Sequence, residues 1–252
     1  MDLFFASLFT IFLWWASTSI LLAFTRNESE ESSFSTIFVS TCILLLGFVI
    51  LISSSDSTTV TSAYLGFVSV LMIWSWQEAA FLVGWITGTR TTACPNNVTG
   101  FKRAWLAFQT ISHHELLLVV LGIVIWLVTF NSPNDIGIQT FLILWIMRIS
   151  AKLNVFLGVR NFYEEFLPSN LSYLATYFKR KSYNLLFPFI LTAALIVDML
   201  FWYNAGIASN PYGRVSFGLM AALLALGVLE HILMILPFQL VSIWRLGLSK
   251  RI

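Results

Sequence analysis

Residues 215–243 read VSFGLMAALLALGVLEHILMILPFQLVSI. About 20 predominantly apolar residues suffice to cross a bilayer as a helix, and this run exceeds that. It also carries two ionisable groups, Glu230 and His231, well inside it. Both features recur along the chain. Six further runs are as apolar, and all but the first two also hold a charged residue or a histidine: Leu3–Phe24, Phe34–Ser53, Val60–Thr87, Ala104–Thr129, Ile136–Val159 and Asn184–Gly206. None alternates apolar and polar residues strictly, which argues against a β-barrel. Backbone groups in hydrocarbon must be satisfied within their own segment, so helices remain. The expectation is an all-α polytopic membrane protein, a single bundle of seven transmembrane helices with no soluble domain between spans.

Composition agrees. Of 252 residues, 58% are hydrophobic and only 10% charged, with mean hydropathy +0.84. A soluble domain carries about 25% charged residues, and this chain could not clothe a water-facing surface. That excludes an ordinary soluble enzyme and a disordered chain. Fourteen basic residues against twelve acidic ones are too even for a nucleic-acid binder. The 23 Phe and 10 Trp suit a surface that faces lipid and its interfaces. The lipid bilayer is therefore the first partner implied. Cys42 lies in an apolar run and Cys94 in a polar loop, so neither a disulfide nor a zinc motif is expected. The first run lacks a basic leader and is too long for a signal peptide, and reads as a retained span.

Lys and Arg set the orientation. The N-terminus and the loops Ser54–Thr59, Phe130–Asp135 and Ile207–Arg214 contain one basic residue, Arg214. Thr25–Ser33, Gly88–Arg103, Arg160–Tyr183 and the tail from Trp244 contain eleven. The expected arrangement in a bacterial inner membrane is N-terminus periplasmic and C-terminus cytoplasmic. In the long loop, Leu171, Leu174 and Phe178 recur at i, i+3, i+7 after Pro168-Ser169. They predict a short interfacial helix with Lys179-Arg180-Lys181 on anionic lipid, or a docking site for a partner protein. The sequons at Asn27, Asn97 and Asn170 fall on the cytoplasmic side and read as chance matches.

Charges inside spans cost about 2.5–3.5 kcal/mol each near the helix centre, so they face inward and find partners. Counting about 1.5 Å per residue from the basic-side ends, Glu78, His113, His114, Glu115, Arg148, Lys152, Glu230 and His231 fall roughly 10–20 Å deep. Four spans thus place polar groups in one slab of the bilayer. Asp198 lies in the opposite half. Successive residues turn about 100° on a helix, so His113, His114 and Glu115 cannot all converge. Glu230 and His231 could share a wide inner face. Arg148 and Lys152 share one face at i, i+4. Asn154, Asn161 and Glu165, at i, i+7, i+11, extend a polar stripe into the loop beside Glu164.

Four readings of this slab remain open. In an ion-pair network, Glu78, Glu115 and Glu230 against Arg148 and Lys152 would give two pairs and one protonated acid, fixing helix register. A metal site would draw on Glu78, His114, Glu115, Glu230 and His231, whose ligand types suit iron, manganese or zinc; no Glu-x-x-His pair is present. Pigment ligation would use a histidine, His113, His114 or His231, on a bacteriochlorophyll-type tetrapyrrole. A proton relay would lack the broken helices usual in transporters. P-loop, G-x-G-x-x-G, G-x-S-x-G and H-E-x-x-H motifs are absent.

Several short stretches then form a set: Trp76-Gln77-Glu78, His114-Glu115, Lys152 through Asn161, Glu164 through Pro168, and Leu229-Glu230-His231. Together they resemble the PuhE family (photosynthetic complex assembly protein 2) of phototrophic proteobacteria, over nearly the whole chain. Lys152–Pro168 is the most specific part. The resemblance implies a gene beside that of the reaction-centre H subunit. It also implies a role in assembling the photosynthetic complex or in bacteriochlorophyll supply, with reaction-centre or antenna polypeptides or pigment-biosynthesis enzymes as partners. It carries no catalytic residues. The alternative expectation is a membrane metal-dependent oxidoreductase acting on a pigment precursor, with Arg148 or Lys152 orienting a substrate carboxylate.

Overall fold

A computed structural model describes residues 1–25, 29–162, 164 and 167–237. They form an all-helical membrane bundle. The helices are α1 (Asp2–Thr25), α2 (Glu30–Ser55), α3 (Val60–Leu82), α4 (Gly100–Gln109), α5 (Ser112–Val128), α6 (Ile136–Leu157), α7 (Leu186–Ile207) and α8 (Pro211–Ile235), with a 3-10 helix at Ser169–Tyr177 before α7. Among the described residues there is no strand, only a parallel bridge between Val159 and Arg180.

Six of these helices are long and apolar enough to cross a membrane: α1, α2, α3, α6, α7 and α8. The predicted fourth span is in two pieces. α4 and α5 meet at a 66° bend, and would make a seventh span only if taken together. The cause is local. Thr110 and Ser112 hydroxyls donate to the carbonyls of Ala107 (2.6 Å) and Gln109 (3.3 Å), and the Thr110 and Ile111 amides turn back three residues to Ala107 and Phe108. Such side-chain bonds compete with the helical ladder.

Termini follow their caps. The Ser29 hydroxyl accepts from the Ser32 amide, so α2 starts four residues before the predicted Phe34. Asn210 caps Gly213 with Pro211 behind it, so α8 also starts early. α8 stops at Ile235, two residues before Pro237, and the predicted continuation over residues 238–243 lies outside the described residues. α6 stops at Leu157, because Gly158 adopts φ 125°. The interfacial segment departs from the predicted α-helical face as well. A 3-10 turn repeats every three residues, so Leu171, Leu174 and Tyr177 are the buried set, and Leu171 and Leu174 pack on Phe81 of α3.

α3 and α8 are the central helices, with 61% of their most apolar stretches buried, against 6% in α7 and 11% in α1. Near one end Ala6, Ala63, Phe67, Ile136, Val215 and Leu219 join α1, α3, α6 and α8. Leu51, Val70, Ile73, Leu118, Ile125 and Phe141 join α2, α3, α5 and α6. Ala194 with Leu224 and Val228 seats α7 on α8. Phe12, Leu45, Leu116, Ile146 and Phe189 point outward, as a surface solvated by lipid requires.

Asn134 fastens the end bearing the sparsely charged loops. Its amide donates to the Ser54 and Ser62 carbonyls (2.9 and 3.0 Å), and its oxygen accepts from Tyr212 (3.0 Å) and the Ile136 amide (3.3 Å). At the other end the loops form a packed cap. The Arg103 guanidinium is buried, lies 4.3 Å over the Phe156 ring and donates to the Tyr177 carbonyl. Arg90 Nε donates to the Tyr177 hydroxyl (2.6 Å), and the Cys94 amide donates to Thr176 Oγ1 (2.8 Å).

Candidate functional site: an intramembrane ion-pair layer

α6 places two cations one turn apart, and each meets a carboxylate from a different helix. Arg148 Nη2 donates to Glu78 Oε2 on α3 at 2.7 Å. Lys152 Nζ donates to Glu115 Oε1 on α5 at 2.5 Å. The i, i+4 spacing puts both bases on one face, and α3 and α5 supply acids at matching heights. Three helices are thereby fixed in axial register. Sliding any one of them by a residue would separate a charge pair in low dielectric.

The second polar face of α6 carries Ser150 and Asn154. His231 on α8 is buried and uses both ring nitrogens. Nδ1 donates to the Gly227 carbonyl (2.9 Å), since a carbonyl can only accept, and Nε2 lies 2.7 Å from Ser150 Oγ. Asn154 Nδ2 donates to the Ser150 carbonyl (3.0 Å), and its Oδ1 accepts from Asn184 Nδ2 (2.9 Å) ahead of α7. This ladder ties α8, α6 and the start of α7 together.

His114 and Gln77 complete the interior. Both are fully buried. The His114 ring packs 4.5 Å from Phe81, and its backbone amide donates to the Thr87 carbonyl (2.9 Å). Neither imidazole nitrogen nor either end of the Gln77 amide has a hydrogen-bond partner among the described residues.

The structure also divides the residues singled out by sequence. Of the two adjacent histidines on α5, His114 faces inward and His113 is exposed. Glu230 and His231 do not share an inner face: Glu230 is exposed on α8, while His231 is buried. Arg148 is itself 40% exposed, so the layer is not closed on that side. The stripe through Asn154, Asn161 and Glu165 breaks, because α6 ends at Leu157. Asn161 instead donates to the Leu233 and Leu236 carbonyls (3.0 and 2.7 Å), knitting the loop to the end of α8. Glu164 pairs with Arg180, and Glu165 lies outside the described residues. Asp198 is half-buried on α7.

Among the described residues, no three His, Cys, Asp or Glu side chains come together in a way that could hold a metal ion. His231 is committed to Ser150 and Gly227, and His114 is sealed behind Phe81. The arrangement matches an ion-pair network, two pairs with a third acid at the rim.

Sequence reasoning gave no site role to Gln77, Ser150, Asn184, Asn134 or Arg103. Ser150 and Asn184 were legible only with α6 in place, since their partners lie 81 and 30 residues away in sequence. Asn134 and Arg103 read as loop residues until the packing buried them.

No solved structure matches the chain. It is 31% identical over 241 residues to the "uncharacterized 30.4 kDa protein in puhA 5'region" of Rhodobacter capsulatus, covering 94% of this chain and 88% of that protein. Matched from residue 1 to residue 252, the chain belongs to the family described as protein of unknown function DUF3623.

Proposed function

We propose that the protein is a PuhE-type inner-membrane factor that assists assembly of the bacterial photosynthetic complex, reaction centre or antenna, or its bacteriochlorophyll supply. It acts with its N-terminus periplasmic and its basic end cytoplasmic. The observation that carries this reading is the similarity, along almost the full chain, to a protein encoded 5' of puhA.

The geometry supports a non-catalytic role within the membrane. Glu230 is exposed on α8, and Arg148 is 40% exposed although paired with Glu78. Lipid tails can satisfy neither group. A transmembrane segment of a client polypeptide that offers Glu230 a donor and Arg148 an acceptor at the same depth satisfies both. The bundle behind is locked by two ion pairs, so this face is presented on a rigid frame.

The test is affinity purification of the full-length protein from phototrophically grown cells in mild detergent. Reaction-centre or antenna polypeptides should accompany the wild type, and Glu230→Ala should release them while leaving the protein folded. Recovery of the protein without such polypeptides under conditions that keep other membrane complexes intact would overturn the proposal.

A further inference from the structure

The basic segment 179–181 is held where α6 ends and α7 begins. The Val159 amide donates to the Lys179 carbonyl (3.2 Å), and the Lys181 amide donates to the Val159 carbonyl (3.1 Å). Gly158 closes α6 at φ 125°. A side chain there would place its first carbon 2.8 Å from Cγ and Cδ of Lys181. Glycine thus lets the Lys181 stem lie flat against the backbone, which restrains a side chain that is usually costly to order.

The neighbouring bases are differently placed. Arg180 is engaged by Glu164 and stacks 4.9 Å over Phe162. Lys181 has no ion pair among the described residues. Beside it opens a cleft of about 670 Å³, lined by Leu157, Lys181, Tyr183, Asn184, Leu186 and Phe189. Asn184 Oδ1 accepts from the Leu186 and Phe187 amides (3.0 and 3.2 Å), so the cleft also adjoins the first turn of α7. That turn is the positive end of a 22-residue helix. The head of the cleft is therefore cationic through Lys181, with the Leu186 and Phe187 amides already taken by Asn184 Oδ1, while Leu157, Leu186 and Phe189 make its body apolar. Phe189 is 74% exposed, as a wall awaiting a hydrocarbon neighbour would be. α6 and α7 are both of membrane-crossing length and apolarity. The level at which one ends and the other begins is the level of lipid headgroups.

We propose that this cleft binds one anionic phospholipid, its phosphate on Lys181 before the positive end of α7, and an acyl chain along Leu157 and Phe189. Charge at the head and hydrocarbon lining below match the two halves of that ligand. Fixation of the Lys181 stem by Gly158 distinguishes a defined site from diffuse attraction to the surface.

Native mass spectrometry of the full-length protein tests this, with phosphatidylglycerol and phosphatidylcholine supplied in equal amounts. The wild type should retain one phosphatidylglycerol in preference. Lys181→Ala should lower that preference about five-fold, the effect of one basic group near a membrane surface. Lys181→Arg should keep it, Lys179→Ala should leave it unchanged, and millimolar inorganic phosphate should not displace the lipid. Equal losses in Lys179→Ala and Lys181→Ala, displacement by phosphate, or equal retention of the two lipids would each overturn the proposal.

Discussion

Glu115→Gln, Lys152→Met and the double replacement form a thermodynamic cycle across the α5–α6 contact. The pair is 2.5 Å long, with the lysine and glutamate side chains 23% and 17% exposed. Neither charge can be rehydrated without parting the helices. An exposed ion pair contributes about 0–1 kcal/mol, whereas removing one partner of an enclosed pair costs about 3–5 kcal/mol. Partial exposure places this pair near the lower end, about 3 kcal/mol for each single replacement, or roughly 6–12 °C in Tm for a chain of this size. Glu115→Gln is the worse of the two, because Lys152 then stands one turn from Arg148 with Glu78 already engaged. The double variant leaves no isolated charge, so it should lose about 3 kcal/mol, half the sum of the two singles, a coupling of about 3 kcal/mol. Reversible unfolding in mixed micelles, followed by circular dichroism, measures all three. If the double variant loses the sum of the singles, the groups are uncoupled and the register argument fails.

Other outcomes follow from the same coordinates. Asn134→Ala removes bonds to Ser54, Ser62, Tyr212 and Ile136 and should cost about 2–4 kcal/mol, read in the same unfolding assay. Arg103→Lys loses the planar contact with Phe156 and the fork toward Tyr177, so it should cost about 2 kcal/mol and speed proteolysis of the basic-end cap. A Cβ on Gly88 would strike the backbone of Gln109, Thr110 and Ile111, whereas one on Gly206 in α7 meets nothing. Gly88→Ala should therefore destabilise, and Gly206→Ala should stabilise by roughly 0.5–1 kcal/mol. Cys94 is half-exposed in the basic-end cap. A membrane-impermeant maleimide should label it from the cytoplasmic face alone, and labelling from the periplasmic face would reverse the proposed orientation.

Hydropathy made the membrane bundle legible, because lipid imposes one rule on every span: apolar side chains outside and a closed hydrogen-bond ladder within. The ends of the elements depended on chemistry that hydropathy does not weigh. Ser29 and Asn210 extend helices backward through their caps, Gly158 ends α6, and Thr110 with Ser112 splits a run that looks continuous. Depth counting found the layer of Glu78, Glu115, Arg148 and Lys152, since charge and axial rise are both readable from sequence. Azimuth was less legible. A turn of about 100° separates His113 from His114, but only the packing of Phe81 decides which one faces inward. The same holds for Glu230 and His231, adjacent in sequence and turned to different surroundings. Ser150, Asn184 and Asn134 carried no local signal, because each acts through partners on other helices.

The proposed function assigns this membrane protein to the building of a photosynthetic complex rather than to the chemistry of a pigment. Its most direct test is an in-frame deletion in the phototroph that encodes it, with membrane absorbance of reaction centre and antenna measured beside the extracted pigment profile. The deletion strain should hold fewer assembled complexes per cell, restored by the wild-type gene, with no new pigment intermediate. Unchanged complex levels, or one accumulated precursor, would contradict it.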